Sequence, residues 1–296
     1  MNKTLVIYHK DCNDGFTAAW SFWTRKGANW KYVGAKHGYP LSVDITGYDV
    51  YFLDFSCSRA IIEEMLTKAN SITIIDHHKT AEESLKELVH PKLKLIFDQT
   101  KSGARLAFEY DIELGYIRNL VILPQLVKYV EDGDLWKFSL KYSKQINAYI
   151  HNVDKTFSNW EWLDTHFDNY IDFNNFSNYG DELLIKHNRE VEQLLKNKFR
   201  YIIANKECWL VNAPSWLASD IGHELAKDNP FGATYYYDGQ KYIFSLRSDD
   251  NNPEAVDVSK IAKFYEGGGH KNAAGFELES LLILIDPKKS YGGIYG

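Results

Sequence analysis

The sequence predicts a two-domain α/β protein, with a mostly parallel N-terminal sheet flanked by helices and a smaller C-terminal α/β domain. Three observations lead there. Short runs rich in β-branched and aromatic residues alternate with helical segments through the first hundred residues. These runs are apolar on both faces, as strands of a sheet covered on both sides must be. After a long amphipathic segment at 179–199 the pattern resets to strand, turn, strand. The length of 296 residues also exceeds the usual ~100–200 of one domain.

Taken in order, TLVIYH (4–9) reads as a strand followed by a helix from Gly15 to Lys26. DVYFLD (49–54) precedes a helix capped by Ser58, with Ile61, Ile62, Met65 and Leu66 as its apolar stripe. SITIID (71–76) leads to a helix from about Thr80 to Leu88, and LKLIFD (93–98) to a helix opening on SGA at 102–104. Residues 120–197 read as largely helical. YIIANKECWLVNA and GATYYYDGQKYIFSLRS then supply alternating strands, with DGQ as a turn, and DVSKIAKFY a helix. The expected organisation is a metal-binding catalytic domain over 1–180, a connecting helix over 181–199 and a substrate-binding domain over 200–296. The tail SYGGIYG is expected to be loose.

A net charge of −6 and a pI near 5.9 argue against a protein that coats long nucleic acid, which needs a broad basic face. A short anionic substrate gripped by a few local cations remains compatible. Cys12, Cys57 and Cys208 are too few and too scattered for a disulfide framework or a Cys-x-x-Cys zinc site. The N-terminus lacks the apolar core of a signal peptide, and the longest aliphatic run, LLILI at 281–285, is far short of the ~20 residues that span a bilayer. A soluble, cytoplasmic protein is expected.

Three consecutive strands end in acid or imidazole: VIYHKDCND, VYFLDFS and TIIDHHK. Ligands bind at the carboxyl edge of an open parallel sheet, so His9, Asp11, Asp14, Asp54, Asp76, His77 and His78 are expected to converge there. Asp132 and Asp134, in YVEDGDLWKF, flank a glycine near a helix end and offer a further carboxylate. Singly, each has an ordinary alternative, since an Asp after a strand is most often a turn former or a helix cap. Together, several carboxylates in one crevice repel unless a cation neutralises them. Mixed carboxylate and imidazole donors favour Mn²⁺, with Mg²⁺ or Co²⁺ as alternatives, in numbers sufficient for two ions with Asp54 as the bridge. In the C-terminal half, GGGHKNAAG (267–275) and Arg247 after a strand suggest a phosphate-gripping surface, although a Gly-rich turn alone is weak evidence.

These motifs together resemble the DHH family of phosphoesterases, named for the triplet seen here as Asp76-His77-His78, with a C-terminal DHH-associated domain marked by the glycine-histidine loop. The resemblance covers nearly the whole chain in the expected order. It implies a cleft between the two domains and a pair of divalent ions, usually manganese. By resemblance, His9 and Asp11 hold one ion, Asp14 and His77 the other, Asp54 bridges, and Asp132 completes the second ion. Asp76 orients a histidine, His78 lies at the substrate phosphate, and Arg247, Gly267, Gly268, Gly269 and His270 bind substrate. The opening motif departs from the pattern of many relatives: Cys12, not Asp, stands two residues before Asp14. Either Asp11 reaches the ion by a one-residue adjustment or Cys12 itself is the donor, with packing under the loop as the thiol's ordinary role. The implied activity is two-metal hydrolysis of small phosphodiesters or phosphomonoesters such as short oligonucleotides, dinucleotides or nucleotides. A polyphosphatase or pyrophosphatase, and a non-catalytic nucleotide sensor with a degraded metal site, are the alternatives. The expected partner is a small phosphorylated substrate or short single-stranded nucleic acid, with a homodimer left open. Trp136 is the aromatic residue placed to meet a base, though core packing is its ordinary role.

Overall fold

The computed structural model describes residues 3–37, 39–113 and 122–281. The chain divides into two compact units, Met1–Ile185 and Lys186–Gly296. The glycine-rich tail lies outside the described residues.

The first unit is built on five parallel strands, β1 (Lys3–His9), β2 (Lys31–Ala35), β3 (Tyr48–Leu53), β4 (Ser71–Asp76) and β5 (Leu93–Phe97), in the order β2-β1-β3-β4-β5. Helix α1 (Asn13–Lys26) joins β1 to β2, α2 (Arg59–Lys68) joins β3 to β4, α3 (Lys79–Leu85) joins β4 to β5, and α4 (Gly103–Glu113) follows β5. The alternation of side chains along a strand explains why the strands are apolar on both faces. Val6, Leu53 and Ile75 pack into one core with Phe16, Trp20 and Trp160. Leu5, Ile7, Phe52, Ile72 and Ile74 pack into another with Ile62, Leu66 and Leu85. Strand order reverses between β1 and β3, so the loops leaving these two strands diverge and open a crevice at their carboxyl ends. Four of the five strands were legible as apolar runs. KYVGA was not, because three apolar side chains in five residues, interrupted by Gly34, are too few to make a periodicity.

Four helices follow: α5 (Gln125–Asp134), α6 (Ser143–Asn152), α7 (Phe157–Phe167) and α8 (Tyr170–Leu195). The helix expected at 179–199 therefore begins nine residues earlier and stops at Leu195. The second unit holds a six-stranded sheet of β6 (Phe199–Ile203), β7 (Lys206–Asn212), β8 (Gly232–Tyr237), β9 (Tyr242–Arg247), β10 (Gly268–Gly269) and β11 (Ala273–Leu278). Its order is β10-β11-β9-β8-β7-β6, antiparallel except for β7 beside β8. A parallel pair needs a crossover, and α9 (Ala218–Ala226) supplies it. Phe244, Phe276 and Tyr265 stack at the centre of this unit's core, below α10 (Val258–Phe264). Among the described residues no helix is long and apolar enough to cross a membrane.

Candidate metal centre

Register places the chemistry. Tyr8 pairs with Leu53, and Leu53 with Ile75, so the residues one step beyond, His9, Asp54 and Asp76, fall in a row across the carboxyl edge at the switch point. Asp54 leaves β3 at a φ of 52°, a left-handed turn that Asp tolerates better than most residues. The turn aims its carboxylate back over the sheet. Asp54 Oδ1 lies 3.2 Å from His77 Nε2, and Oδ2 lies 3.4 Å from His9 Nδ1. His77 Nε2 also faces Asp134 Oδ2 at 3.6 Å and Asp14 Oδ2 at 3.8 Å. Asp14, Asp54, Asp76 and His77 are all buried.

Among the donor groups within a span an ion could fill, two adjoin, His9, Cys12 and Asp54, and Asp14, His77 and Asp134; Asp54, Asp76 and His78 make another. Asp54 belongs to the first and borders the second through His77. The donors fit a metal pair on physical grounds. His9 Nδ1 and Asp54 Oδ1 are buried with no hydrogen bond of good geometry, an arrangement that is costly unless another ligand completes it. Burial, then the Asp134 and Asp54 charges, push the Asp14 carboxyl well above its usual range. Burial pushes Asp134 upward too, against the pull of His77. Burial opposes ionisation of Asp54 as well, but the close imidazoles of His77 and His9 prevail and hold it well below the usual range. His77, whose charge burial disfavours, is driven well upward by Asp54, Asp134 and Asp14. Crowded carboxylates of this kind are what a divalent cation relieves.

The Asp-His-His triplet divides its work. Asp76 Oδ1 accepts the backbone N–H of His77 at 2.7 Å and of His78 at 3.2 Å, and lies 2.7 Å from His78 Nδ1. It therefore fixes the turn on which both imidazoles stand. Burial works against a charged His78, but the Asp76 carboxylate outweighs it and pushes the ring up to about 9.

SGA at 102–104 is the seat beneath Asp14. Ser102 Oγ accepts the Arg105 N–H and caps α4. Gly103 and Ala104 donate their N–H groups to Asp14 at 2.6 and 3.0 Å, so the carboxylate sits on the positive end of that helix. A Cβ at Gly103 would lie 2.5 Å from Asp54 Cβ and 2.9 Å from Asp14 Oδ2. Gly103→Ala is therefore expected to spread the two carboxylates and cost at least tenfold in metal affinity, the scale seen when the support of a metal ligand is lost. Equilibrium dialysis with Mn²⁺ measures it, and wild-type affinity would show that the contact yields elsewhere.

Two expected ligands lie apart from these donor groups. Asp11 is exposed and belongs to neither donor group; its φ of 62° makes it the left-handed residue of the tight turn after β1. That turn brings Cys12 inward, and burial pushes its thiol well up. Asp132, expected to complete the second group, turns away: Oδ1 accepts Ser139 N–H and Oγ–H, and Oδ2 accepts Leu140 N–H. Asp134, two residues on and on another side of α5, meets His77 instead. One histidine escaped the sequence reading. His37 follows β2, its ring 5.2 Å from that of His9 and 4.5 Å from Phe55. Recognising KYVGA as a strand would have marked it as another strand-end imidazole.

Within the second unit, Arg247 ends β9 opposite Ala273, the first residue of β11. Its Nη2 donates to Ser219 Oγ at 2.7 Å and its Nη1 to Leu246 O at 2.8 Å. A Cβ at Gly222 would lie 2.7 Å from Arg247 Cγ, so this glycine lets α9 close on the arginine. Gly267, Gly268 and Gly269 do not form an open loop. Gly268 and Gly269 pair with Gly275 and Ala274, and Gly267 lies against Gly275 O and Phe276. Close strand packing accounts for these glycines, and His270 stands at the turn that follows.

No family profile matches the chain. It is 28% identical over 228 residues to the oligoribonuclease NrnB of Bacillus subtilis (strain 168), an alignment covering 72% of this chain and 54% of that relative. Among solved structures, the DHH domain of a member of a ribosomal-protein family matches 94% of this chain and 83% of its own, at 14% identity and a TM-score of 0.60. RecJ of Thermus thermophilus, solved in complex with Mn²⁺, matches 97% of this chain and 51% of its own, at 13% identity and a TM-score of 0.51. The chain thus spans about half the length of NrnB and of RecJ. It shares the fold of a DHH domain and a sequence relationship to NrnB, and it carries an Asp-His-His triplet at the heart of its donor cluster, in line with the resemblance read from its motifs.

Proposed function

We propose that this chain is a metal-dependent phosphoesterase that hydrolyses short oligonucleotides or linear dinucleotides with a pair of divalent ions, Mn²⁺ foremost. The observation that carries this reading is the pair of adjoining donor groups that share Asp54 as a neighbour. The Mn²⁺ complex of RecJ and the oligoribonuclease activity in the name of NrnB support it. His9, Cys12 and Asp54 would hold one ion, and Asp14, His77 and Asp134 the other. A bound pair would activate water near neutral pH and offset charge on the phosphoryl oxygens.

The protein's own groups do the rest. Asp76, 2.7 Å from His78 Nδ1, orients the ring and leaves Nε2 as the group that would donate to the departing oxygen. Asp14, seated on the α4 amides, keeps the second donor group in register. Cys12 supplies a donor where Asp11 does not, so the departure in the opening motif does not empty the first group. A thiol there disfavours Mg²⁺ for that ion. Arg247, held by Ser219, and His270 would form an anion-binding surface on the second unit. The described cysteines are unpaired, which suits the reducing cytoplasm, where we place the enzyme.

A hydrolysis panel with Mn²⁺ tests the reading, comparing short RNA and DNA oligomers, linear dinucleotides, 3′,5′-bisphosphonucleotides and polyphosphate. Mononucleotide release from the short RNA or the dinucleotide, stopped by EDTA, is the expected result. Protein that binds two ions yet cleaves no diester, or cleaves only polyphosphate, overturns it.

A further inference from the structure

The stretch from Leu135 to Lys144, LWKFSLKYSK, is unlike its surroundings. In a chain of net charge −6 it holds three lysines, three aromatics and no acid. It begins one residue after Asp134, a member of the second donor group, so the Trp136 Cα lies within about 7.6 Å of the Asp134 Cα. Trp136 is 38% exposed and Tyr142 43% exposed, and Lys137, Lys141 and Lys144 are exposed.

Its backbone is held against its own preference. Trp136, Phe138 and Tyr142 have φ values of 55°, 46° and 56°. Bulky residues adopt this region rarely, at a cost on the order of 1–3 kcal/mol each. Asp132 imposes the conformation on the first two. Its carbonyl accepts Lys137 and Phe138 N–H at 2.9 and 3.2 Å, while its carboxylate takes Ser139 and Leu140. The Trp136 indole, partly exposed, packs edge to face on Phe138 with ring centroids 4.9 Å apart. The Lys141 ammonium lies 4.8 Å from the Tyr142 ring centroid, and the Lys144 ammonium 5.3 Å from that of Phe138. Charge and π surface therefore come interleaved, the combination by which proteins hold single strands without reading sequence.

We propose that residues 136–144 form a ledge for a single-stranded oligonucleotide at the metal centre, with bases stacked on Trp136 and Tyr142 and phosphates met by Lys137, Lys141 and Lys144. This deepens the phosphoesterase reading and rests on it for the placing of the scissile bond. The ledge specifies a substrate with bases and more than one phosphate, and it selects against polyphosphate, which has nothing to stack.

Fluorescence anisotropy of a labelled five-nucleotide RNA in EDTA measures the ledge apart from catalysis, and KM for the same RNA with Mn²⁺ measures it in turnover. Trp136→Ala is expected to weaken Kd about tenfold, within the range for loss of one base stack, while Trp136→Phe keeps most of the affinity. Exchanging the three lysines for Gln should lower the slope of log K against log salt by about 2, at ~0.7 per phosphate contact on a single strand. Circular dichroism and bound-metal content establish that the variants fold. Binding and KM within twofold of wild type in both Trp136→Ala and the triple lysine variant overturn the ledge even where the wild type cleaves dinucleotides. The expected binding losses in a protein that cleaves no diester would support the ledge and remove the phosphoesterase reading instead.

Discussion

Asp54→Asn is expected to lower kcat/KM for phosphodiester cleavage about a thousandfold or more and to strip metal from both donor groups. The substitution separates charge from fold. Asn is at least as tolerant of left-handed backbone as Asp, so the turn at a φ of 52° is retained. What disappears is a carboxylate that faces His9 through one oxygen and His77 through the other. Loss of a single well-placed electrostatic group costs about 10²–10³ in rate, and a residue serving two ions loses both contributions together. Initial rates and metal analysis after desalting measure the outcome. A variant that retains one ion and activity within tenfold of wild type would place Asp54 in one donor group only.

The second large effect distinguishes two carboxylates that sequence treats alike. Asp134→Asn should lose activity and metal from the second donor group while the melting temperature of the metal-free protein stays within a few degrees. Asp132→Ala should do the reverse, keeping both ions while losing stability. Removing a carboxylate that accepts three hydrogen bonds costs about 3 kcal/mol, or roughly 6–12 °C for a unit of this size. Burial opposes ionisation of Asp132, but hydrogen bonds from Ser139, Ser143 and Leu140 hold its carboxyl below the usual range. A depressed folded value means that the stabilisation is present above the unfolded pKa of ~3.9 and is lost as pH falls through the lower folded value. Asp132→Ala should therefore narrow its stability gap from wild type at the acid end. The opposite assignment, metal loss in Asp132→Ala and destabilisation in Asp134→Asn, would return Asp132 to the centre.

The DGD segment shows where sequence stops being informative. Both aspartates flank one glycine near a helix end, and either is chemically suited to a divalent ion. Two positions along a helix are about 200° apart, so only one can face the sheet, and the packing of α5 chooses it. KDCND poses the same problem at smaller scale. Composition alone favours Asp11 over Cys12 as a ligand, yet the left-handed residue in the turn after β1 is Asp11, and the turn carries its side chain into solvent. His37 was hidden for a different reason: its strand has too few apolar side chains to announce itself, and β1 recruits it through main-chain pairing. The glycines at 267–269 look like an anion loop in sequence, whereas strand pairing explains them by contact with Gly275, Ala274 and Phe276.

The sequence by itself determined the layered α/β class, the second sheet and the meeting of His9, Asp54 and the Asp76-His77-His78 turn. Those follow from strand periodicity and from the rule that parallel strands deliver their ends to one edge, which are local and topological facts. Tertiary structure alone decided which of two neighbouring side chains, Asp11 or Cys12 and Asp132 or Asp134, points at that edge. It also left Trp136 partly exposed two residues beyond Asp134. A choice between adjacent residues is a matter of helix rotation and turn handedness, set by packing of distant parts of the chain and left unmarked by the composition of the segment that carries it.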